Sequence, residues 1–385
     1  MNTIKKISKF RLAYLLFVIA IVFIDYSMTG CYFLILLVLD YLIHVNQFSR
    51  FFDIRYWGIQ LFAFFYYLFA WLTGMIPLGY SSIIYPVIII PLLFLYGRWF
   101  GENIQECNIH RVLFYAALCV ALIPLISVMR DILQFGFVVD YRSVQLMGYS
   151  IAKVATGIGI LLVILSSFVV SFWLPIGIIE KWIYTTLAIM ALICGLRIQT
   201  RSQIITVGLV LIVYFLNNRK SLFVTSKHKL RNIIILVAFI GVGVRSYNHY
   251  SESLLIIDRF QSEDMSTGNS RTKLAHLILT EIPKYPFGGN PTNHYAHNLW
   301  LDAARVAGIL PGLLLLIISI SSIKDTVRII RSKKCLFVTK QLFLILSVAY
   351  VVSMSVEPII EGAWTMFLSY CFFMGICNSV KQLYS

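Results

Sequence analysis

Charged side chains are scarce in this sequence. Asp, Glu, Lys and Arg make up only 13% of its 385 residues, whereas a soluble domain usually carries about a quarter. Hydrophobic residues make up 59%, and the mean hydropathy is +0.83. A soluble enzyme is therefore excluded. The composition indicates one polytopic membrane domain over residues 1–385, in which each span takes roughly 20 apolar residues.

Acidic residues are the scarcer of the two charge signs, with 17 Asp and Glu against 32 Lys and Arg. In a soluble protein this balance would suggest a nucleic-acid partner. In a membrane protein, Lys and Arg instead collect in the cytoplasmic loops and orient the spans. We therefore expect the lipid bilayer as a partner and no nucleic acid.

The common metal and nucleotide motifs are also missing. Seven cysteines are present, but no Cys-x-x-Cys pair occurs, so the sequence indicates neither a zinc site nor a disulfide framework. HExxH, GxSxG and Walker-type phosphate loops are absent, and no Asp-x-Asp pair lies in a loop predicted to be external. Metal-dependent transfer, zinc proteolysis, serine hydrolysis and ATP hydrolysis all lack their residues. We expect no metal and no cofactor.

Apolar segments dominate what is present, and they predict an all-α polytopic integral membrane protein with about 12 transmembrane helices. With the N-terminus inside, the two densest basic runs, Asn217–Arg231 and Lys324–Lys340, fall on the cytoplasmic side, and so do both termini. One large external loop, residues 250–296, lies between spans 9 and 10. The predicted spans are residues 12–28, 31–46, 57–76, 81–97, 112–129, 151–172, 181–198, 203–217, 232–249, 297–320, 336–355 and 363–377.

Arginines at the predicted external side are candidates for binding an anion, because charges in or beside membrane helices are costly and are kept for a reason. Arg197 and Arg201 lie four residues apart at the outer end of the seventh span, so one helix face carries both. For Arg197, snorkelling to the interface is an equal alternative. Arg271 begins a predicted short helix over residues 271–282, where it could simply be solvated.

The segment from Pro286 to Gly308 holds the candidate base. Here Thr292 or Asn293 is expected to cap the helix that begins the tenth span. His294 and His297 would then lie three apart in its first turn. A helix N-terminus attracts anions and disfavours a protonated histidine, so a neutral imidazole there could act as a base. The alternative is an interfacial histidine bonded to water.

Four further charged residues on the predicted external side are expected to be structural or solvated. Asp302 and Arg305, at i and i+3, are predicted to pair with each other. Glu357 and Glu361 lie between the last two predicted spans, and a solvated external turn is the simplest interpretation of that segment.

Three features together resemble the O-antigen polymerase and O-antigen ligase superfamily of bacterial envelope glycosyltransferases. They are Thr200-Arg201-Ser202 between two spans, then Arg271 leading to Tyr285-Pro286-Phe287-Gly288-Gly289, and finally His297-Asn298 at the start of a span that continues to Ile309-Leu310-Pro311-Gly312. The predicted topology, with its large loop between spans 9 and 10, is also similar. Residue-level likeness is confined to about residues 196–312.

The resemblance implies a substrate and a mechanism. The substrate would be an oligosaccharide on undecaprenyl pyrophosphate at the periplasmic face of the inner membrane, and the transfer would be metal-independent and inverting. Arg201 and Arg271 match the pyrophosphate-binding positions, and His297 matches the base, although His294 adds a second histidine that could act instead. A chain-length regulator and a flippase are candidate partners.

Three functions remain open from the sequence. A polymerase would transfer the growing glycan to a new lipid-linked repeat unit, and we favour it on the aromatic-rich composition, with 15% Phe, Trp and Tyr. A ligase would pass the glycan to lipid A–core by the same chemistry. A lipid-linked oligosaccharide flippase is the third. Its expected repeat-related halves and polar residues across the full membrane depth are not visible.

Overall fold

The computed structural model describes residues 9–24, 28–76, 80–139, 141–147, 152–222, 266–290 and 295–383. The predicted ninth span, residues 232–249, and much of the predicted loop 250–296 lie outside these ranges. The chain packs as two compact units. The first unit comprises residues 1–123 and 274–385, and the second comprises residues 124–273. The single membrane domain stays a prediction.

Helices account for most of the described chain, as the composition predicts. Short 3₁₀ turns cover Ser49–Phe51, Glu106–Asn108, Phe168–Trp173 and Ile282–Lys284. In chain order the α-helices are α1 (Lys9–Ile24), α2 (Met28–Ile43), α3 (Val45–Phe48), α4 (Ile54–Leu72), α5 (Tyr80–Asn103), α6 (Ile109–Phe135), α7 (Ala155–Ser167), α8 (Ile178–Arg197), α9 (Arg201–Leu222), α10 (Ser266–Glu281), α11 (Leu299–Ala307), α12 (Ile309–Arg331), α13 (Phe337–Val356), α14 (Ile359–Gly362) and α15 (Trp364–Leu383).

Among the described residues, six helices are long and apolar enough to cross a membrane. A seventh span results if the pair Tyr32–Ile43 and Val45–Phe51, bent by 85°, counts as one. The described part of the chain is therefore predominantly α-helical, with several helices of the length and composition that a membrane span needs. The six are Ile83–Asn103, Ile109–Phe135, Ala155–Trp173, Ile178–Arg197, Arg201–Asn218 and Phe337–Val356.

The first unit is built around the pairing of α5 with α15. A Cβ at Gly97 would collide with the carbonyl oxygen of Phe372, and one at Gly375 would collide with that of Phe94. These glycines therefore let the two backbones touch. Such close approach is how helices gain packing energy where the hydrophobic effect is weak. Helix α4 packs on α5, and α12 packs on both α4 and α15.

Basic residues gather at one end of the first unit. Arg55 at the start of α4 and Lys381 near the end of α15 both pair with Asp325 near the end of α12. Arg98 near the end of α5 pairs with Asp53, which caps α4. We call this the basic end of the unit. The chain segments around α11 and α14 lie at the other end, where α4 and α13 finish and α15 begins.

The predicted tenth span is interrupted. Helix α11 stops at Ala307, and α12 begins at Ile309 after Gly308, which has a φ of 90°. A Cβ at Gly308 would collide with the carbonyl oxygen of Pro286, whereas the amide of Ile309 donates to that same oxygen at 3.0 Å. The turn that contains Pro286 therefore packs against Gly308 and interrupts the helix there. A continuous helix over residues 297–320 was the wrong expectation.

The second unit contains α7, α8, α9 and a small hairpin. Strands β1 (Ser143–Gln145) and β2 (Ala152–Val154) pair antiparallel, with Val144 opposite Lys153. The predicted sixth span, residues 151–172, therefore begins as a strand. Helix α10 was predicted over residues 271–282, and the structure confirms a helix there, starting five residues earlier.

Candidate functional site

Asn298 caps α11. Its side-chain oxygen accepts hydrogen bonds from the backbone amides of Trp300 and Leu301, both at 3.2 Å. Asp302 completes the turn, because its carboxylate accepts from the amides of Ala296 at 2.7 Å and Asn298 at 3.1 Å. These amides would otherwise lack a partner at the helix start.

This cap corrects the predicted helix start. The cap was expected at Thr292 or Asn293, which lie outside the described residues, whereas α11 begins only at Leu299. His297 therefore precedes the helix instead of lying in its first turn, and its φ is 52°. A non-glycine residue in this left-handed region is uncommon and marks a locally constrained backbone. His294 also lies outside the described residues.

His297 lies beside a buried carboxylate. Its Nδ1 is 3.7 Å from Oε2 of Glu357, whose side chain is only 2% exposed, while the His297 side chain is 28% exposed. Among the described residues, Nδ1 has no hydrogen-bond partner. The solvated turn predicted for Glu357 is therefore wrong, because the chain after α13 folds inward. The imidazole is thus part-exposed, and a buried carboxylate lies near its Nδ1.

Arg305 makes its main ion pair with Glu361, not with Asp302. Its Nη2 donates to both carboxylate oxygens of Glu361, at 2.8 and 2.9 Å, whereas its Nε is 3.7 Å from Asp302. The guanidinium also lies over the ring of Tyr295, 5.4 Å from its centroid. Burial raises the pKa of Glu361 to about 7, an effect that Arg305 opposes. Glu361 is therefore not a solvated residue either.

The turn from Tyr285 to Asn290 docks onto the end of α11. The amide of Gly289 donates to the backbone carbonyl of Val306 at 3.1 Å. The amide of Asn290 donates to the backbone carbonyl of Arg305 at 3.4 Å. Gly288 has a φ of 86°, and a Cβ there would collide with Val306. The Pro-Phe-Gly-Gly stretch therefore has a structural role. It fixes the position of α11 and so of His297, which directly precedes the cap of that helix.

In the second unit, a tight turn between α8 and α9 sets the position of Arg201. Gln199 has a φ of 58°, and the amide of Thr200 donates to the carbonyl of Gly195 at 3.0 Å. The buried side chain of Gln203 stabilises this turn. Its Nε2 donates to the hydroxyl of Ser166 at 2.7 Å, and its Oε1 accepts from the hydroxyl of Thr200 at 3.0 Å. Arg201 begins α9 and is half-buried.

Arg197 is held inside the second unit. Its Nη2 donates to Asp131 at 2.5 Å and its Nε donates to the carbonyl of Gly136 at 3.0 Å. Tyr141 lies against it, with its ring centroid 5.0 Å from the guanidinium. The Arg197 side chain is fully buried, so it does not snorkel to the interface. These contacts tie the segment after α6 to the end of α8, which is a structural role.

Arg142 is a residue that the sequence reasoning missed. Burial and the positive charge of Arg201 lower the pKa of Arg142, so these two arginines lie close enough to repel each other. Among the described residues, Nε of Arg142 has no hydrogen-bond partner. Neighbouring guanidinium groups in general attract anions such as phosphates. A lone arginine in a loop gives no sequence signal for this pairing.

The structure thus yields one group of candidate side chains within each unit. In the first unit, His297, Glu357, Asp302, Arg305 and Glu361 come together around the start of α11. In the second unit, Arg197 pairs with Asp131, and Arg142 lies near Arg201. Arg271 lies on α10, and its side chain is outside the description. Within the described part of the chain, no three His, Cys, Asp or Glu side chains are arranged to hold a metal ion.

No protein-family model matches the chain, and no curated protein matches it in sequence. The residues and their geometry therefore carry the functional argument.

Proposed function

We propose that this protein is an O-antigen (surface polysaccharide) polymerase of the bacterial inner membrane. It transfers a growing glycan from undecaprenyl pyrophosphate to a new lipid-linked repeat unit, without a metal and with inversion. The observation that carries the proposal is the His297–Glu357 pair, a part-exposed imidazole with a buried carboxylate 3.7 Å behind its Nδ1. This arrangement suits a general base.

His297 would accept the proton of the attacking sugar hydroxyl at Nε2. As that proton leaves, the hydroxyl oxygen bonds to the anomeric carbon, and the bond from this carbon to pyrophosphate breaks on the opposite face. The imidazolium that forms carries a positive charge, which the carboxylate of Glu357 stabilises. The electron pair of the broken bond leaves with the pyrophosphate.

Arginines would stabilise the departing pyrophosphate. Its negative charge grows as the bond breaks, and guanidinium groups can hold phosphate oxygens in pairs without a metal. Arg201 and Arg271 are the proposed ligands, and the nearness of Arg142 to Arg201 adds a third. Arg197 is the weakest candidate, because Asp131, Gly136 and Tyr141 already surround it.

The proposed topology has about 12 spans, both termini in the cytoplasm and the loop 250–296 in the periplasm. Its support is the separation of the basic end of the first unit from the His297 cluster at the other end. Reporter fusions at Lys220 and Lys334 should report cytoplasm, and one at Met265 should report periplasm. A cytoplasmic Met265 would refute the proposal, because the site would face away from the flipped substrate.

The test of the reaction is a glycan ladder from cells in which the chromosomal gene is replaced by a variant. We expect His297→Ala and His297→Gln to abolish polymer, because glutamine can mimic a hydrogen bond but cannot accept the proton. His294→Ala should only weaken it. Glu357→Gln should lower chain growth by about 10²-fold or more, the usual effect of impairing a general base. Membrane levels are checked by immunoblot.

The same gels distinguish a polymerase from a ligase. Loss of a polymerase leaves cores that carry single repeat units, whereas loss of a ligase leaves bare cores and accumulates lipid-linked polymer. An active His297→Gln variant would mean that this residue only positions the substrate. A dead His294→Ala together with an active His297→Ala would transfer the role of base to His294.

A further inference from the structure

A groove opens at the basic end of the first unit, between α4 and α12. Its cavity is about 250 Å³ and mostly apolar, and its polar part is formed by Arg55, Ser321, Ser322 and Asp325. Ile54 and Ile317 at its edge are 87% and 59% exposed, so the groove opens outward. The apolar lining includes Ile54, Gly58, Phe94, Ile317, Ile318 and Met374.

The polar end of the groove carries an excess of positive charge. Arg55 and Asp325 both line it, and Arg55 donates to Asp325 at 2.9 Å. Lys381 pairs with the same carboxylate at 3.1 Å. Burial, and then the charges of Arg55, Arg328 and Arg98, lower the pKa of Lys381 to about 8. Among the described residues, five cations therefore share this end with three carboxylates. The cations are Arg50, Arg55, Arg98, Arg328 and Lys381, and the carboxylates are Asp53, Glu102 and Asp325.

The groove continues into a surface suited to lipid. Along α4, Trp57, Leu61 and Phe64 are exposed, and along α12, Leu313 and Ile320 are exposed. A helix face of this composition in a membrane protein meets acyl chains. The natural occupant of a groove that opens onto such a face therefore comes from the bilayer.

We propose that this groove binds one anionic phospholipid, with an acyl chain between α4 and α12 and the phosphate near Arg55 and Arg328. The sequence predicts that the basic end faces the cytoplasm, where anionic lipids attract basic residues next to the membrane. The chemistry recognised is an apolar tail joined to a negative headgroup. A phospholipid such as phosphatidylglycerol has both, whereas a neutral zwitterionic lipid lacks the net charge.

Gly58 leaves the groove open. Among the described residues, a Cβ there would meet only Cγ1 of Ile318, at 4.0 Å. A glycine inside a helix costs about 1 kcal/mol relative to alanine, and no close backbone contact requires it here. Larger side chains at this position should therefore fill the groove without disturbing the helix.

Gly208 on α9 provides a matched control. It also lies inside a helix, and no described atom lies within 4 Å of a Cβ built there. Gly58→Leu and Gly208→Leu therefore add the same side chain to a helical glycine, but only the first fills the groove. Gly58→Ala is a milder variant that should fold even if Gly58→Leu does not.

The experiment is native mass spectrometry of the full-length delipidated protein, titrated with phosphatidylglycerol or phosphatidylcholine. We expect one phosphatidylglycerol to bind more tightly than phosphatidylcholine. Gly58→Leu should abolish this preference, Gly58→Ala should weaken it, and Gly208→Leu should leave it unchanged. Arg328→Gln should weaken phosphatidylglycerol binding about fivefold, the usual effect of one basic residue near anionic lipid.

Three outcomes would overturn the inference. Equal affinity for phosphatidylglycerol and phosphatidylcholine would show that the negative headgroup is not recognised. A preference that survives both Gly58 substitutions would place the lipid elsewhere. Undecaprenyl phosphate serves as a third probe: if it binds more tightly than phosphatidylglycerol and Gly58→Leu abolishes its binding, the groove holds the carrier tail. None of these results depends on the proposed polymerase activity.

Discussion

Arg197 offers a direct way to separate a structural arginine from a functional one. In Arg197→Met, the carboxylate of Asp131 stays buried, at 9% exposure, and loses its cation. Breaking a buried ion pair from one side costs about 3–5 kcal/mol. The hydrogen bond from Nε to Gly136 adds about 1 kcal/mol. This substitution should therefore destabilise the second unit severely.

The double variant Arg197→Met with Asp131→Leu tests the origin of that loss. Replacing both members of a buried pair by apolar residues is often neutral, because no charge is left without compensation. We expect the double variant to regain most of the stability. It should still fall short of the parent by about 1 kcal/mol, because the bond to Gly136 is not restored.

The assay is thermal unfolding in nanodiscs, read alongside the glycan ladder. If the second unit unfolds cooperatively, the single variant should melt lower by on the order of 10 °C. Arg201→Met is the control, since Arg201 is only half-buried, and it should lose polymer while its melting temperature barely changes. An Arg197→Met protein that keeps the melting temperature of the parent but makes no polymer would refute this reasoning. Arg197 would then be a pyrophosphate ligand and not a structural residue.

Two further predictions concern the arginines and pH. Arg201→Ala and Arg271→Ala should each lower chain growth by about 10³-fold, as losses of comparable arginines do in phosphoryl transfer. Arg→Lys should rescue poorly, and full activity in either Ala variant would remove that residue from the site. Because burial raises the pKa of Glu361 from 4.5 to about 7, its stabilising contribution is complete below pH 4.5 and is lost as the pH rises through 7. The melting temperature should fall over that interval, and Glu361→Gln should flatten the profile; an unchanged slope would contradict the raised pKa.

Local sequence pattern was enough for most of the helices. Long apolar runs mark spans because unpaired backbone groups are too costly in lipid, so a helix is the default there. The pattern could not show the break at Gly308. That break depends on Pro286, which is distant in sequence, docking against the helix. The hairpin at Val144 and Lys153 was missed for a different reason, since three-residue strands carry little periodicity.

Pairings between charged residues were predicted less well. The i,i+3 spacing correctly indicated that Asp302 and Arg305 are near each other, at 3.7 Å, but Arg305 prefers Glu361. Glu357 was expected in solvent and is instead buried beside His297. The sequence predicted the cap of α11 several residues too early. Asn298 is the cap, because its side-chain oxygen accepts hydrogen bonds from the amides of Trp300 and Leu301.

The sequence by itself determined that the chain consists largely of long apolar segments typical of a membrane protein. It also determined which residues are candidate bases and anion ligands, and where its basic residues are concentrated. Those properties follow from composition and local spacing. Only the tertiary structure decided that Glu357 lies behind His297, that Arg197 is held by Asp131, and that Arg142 lies near Arg201. Each of these pairs joins residues far apart in the chain. Their contact depends on how the helices pack, and a local pattern carries no record of that packing.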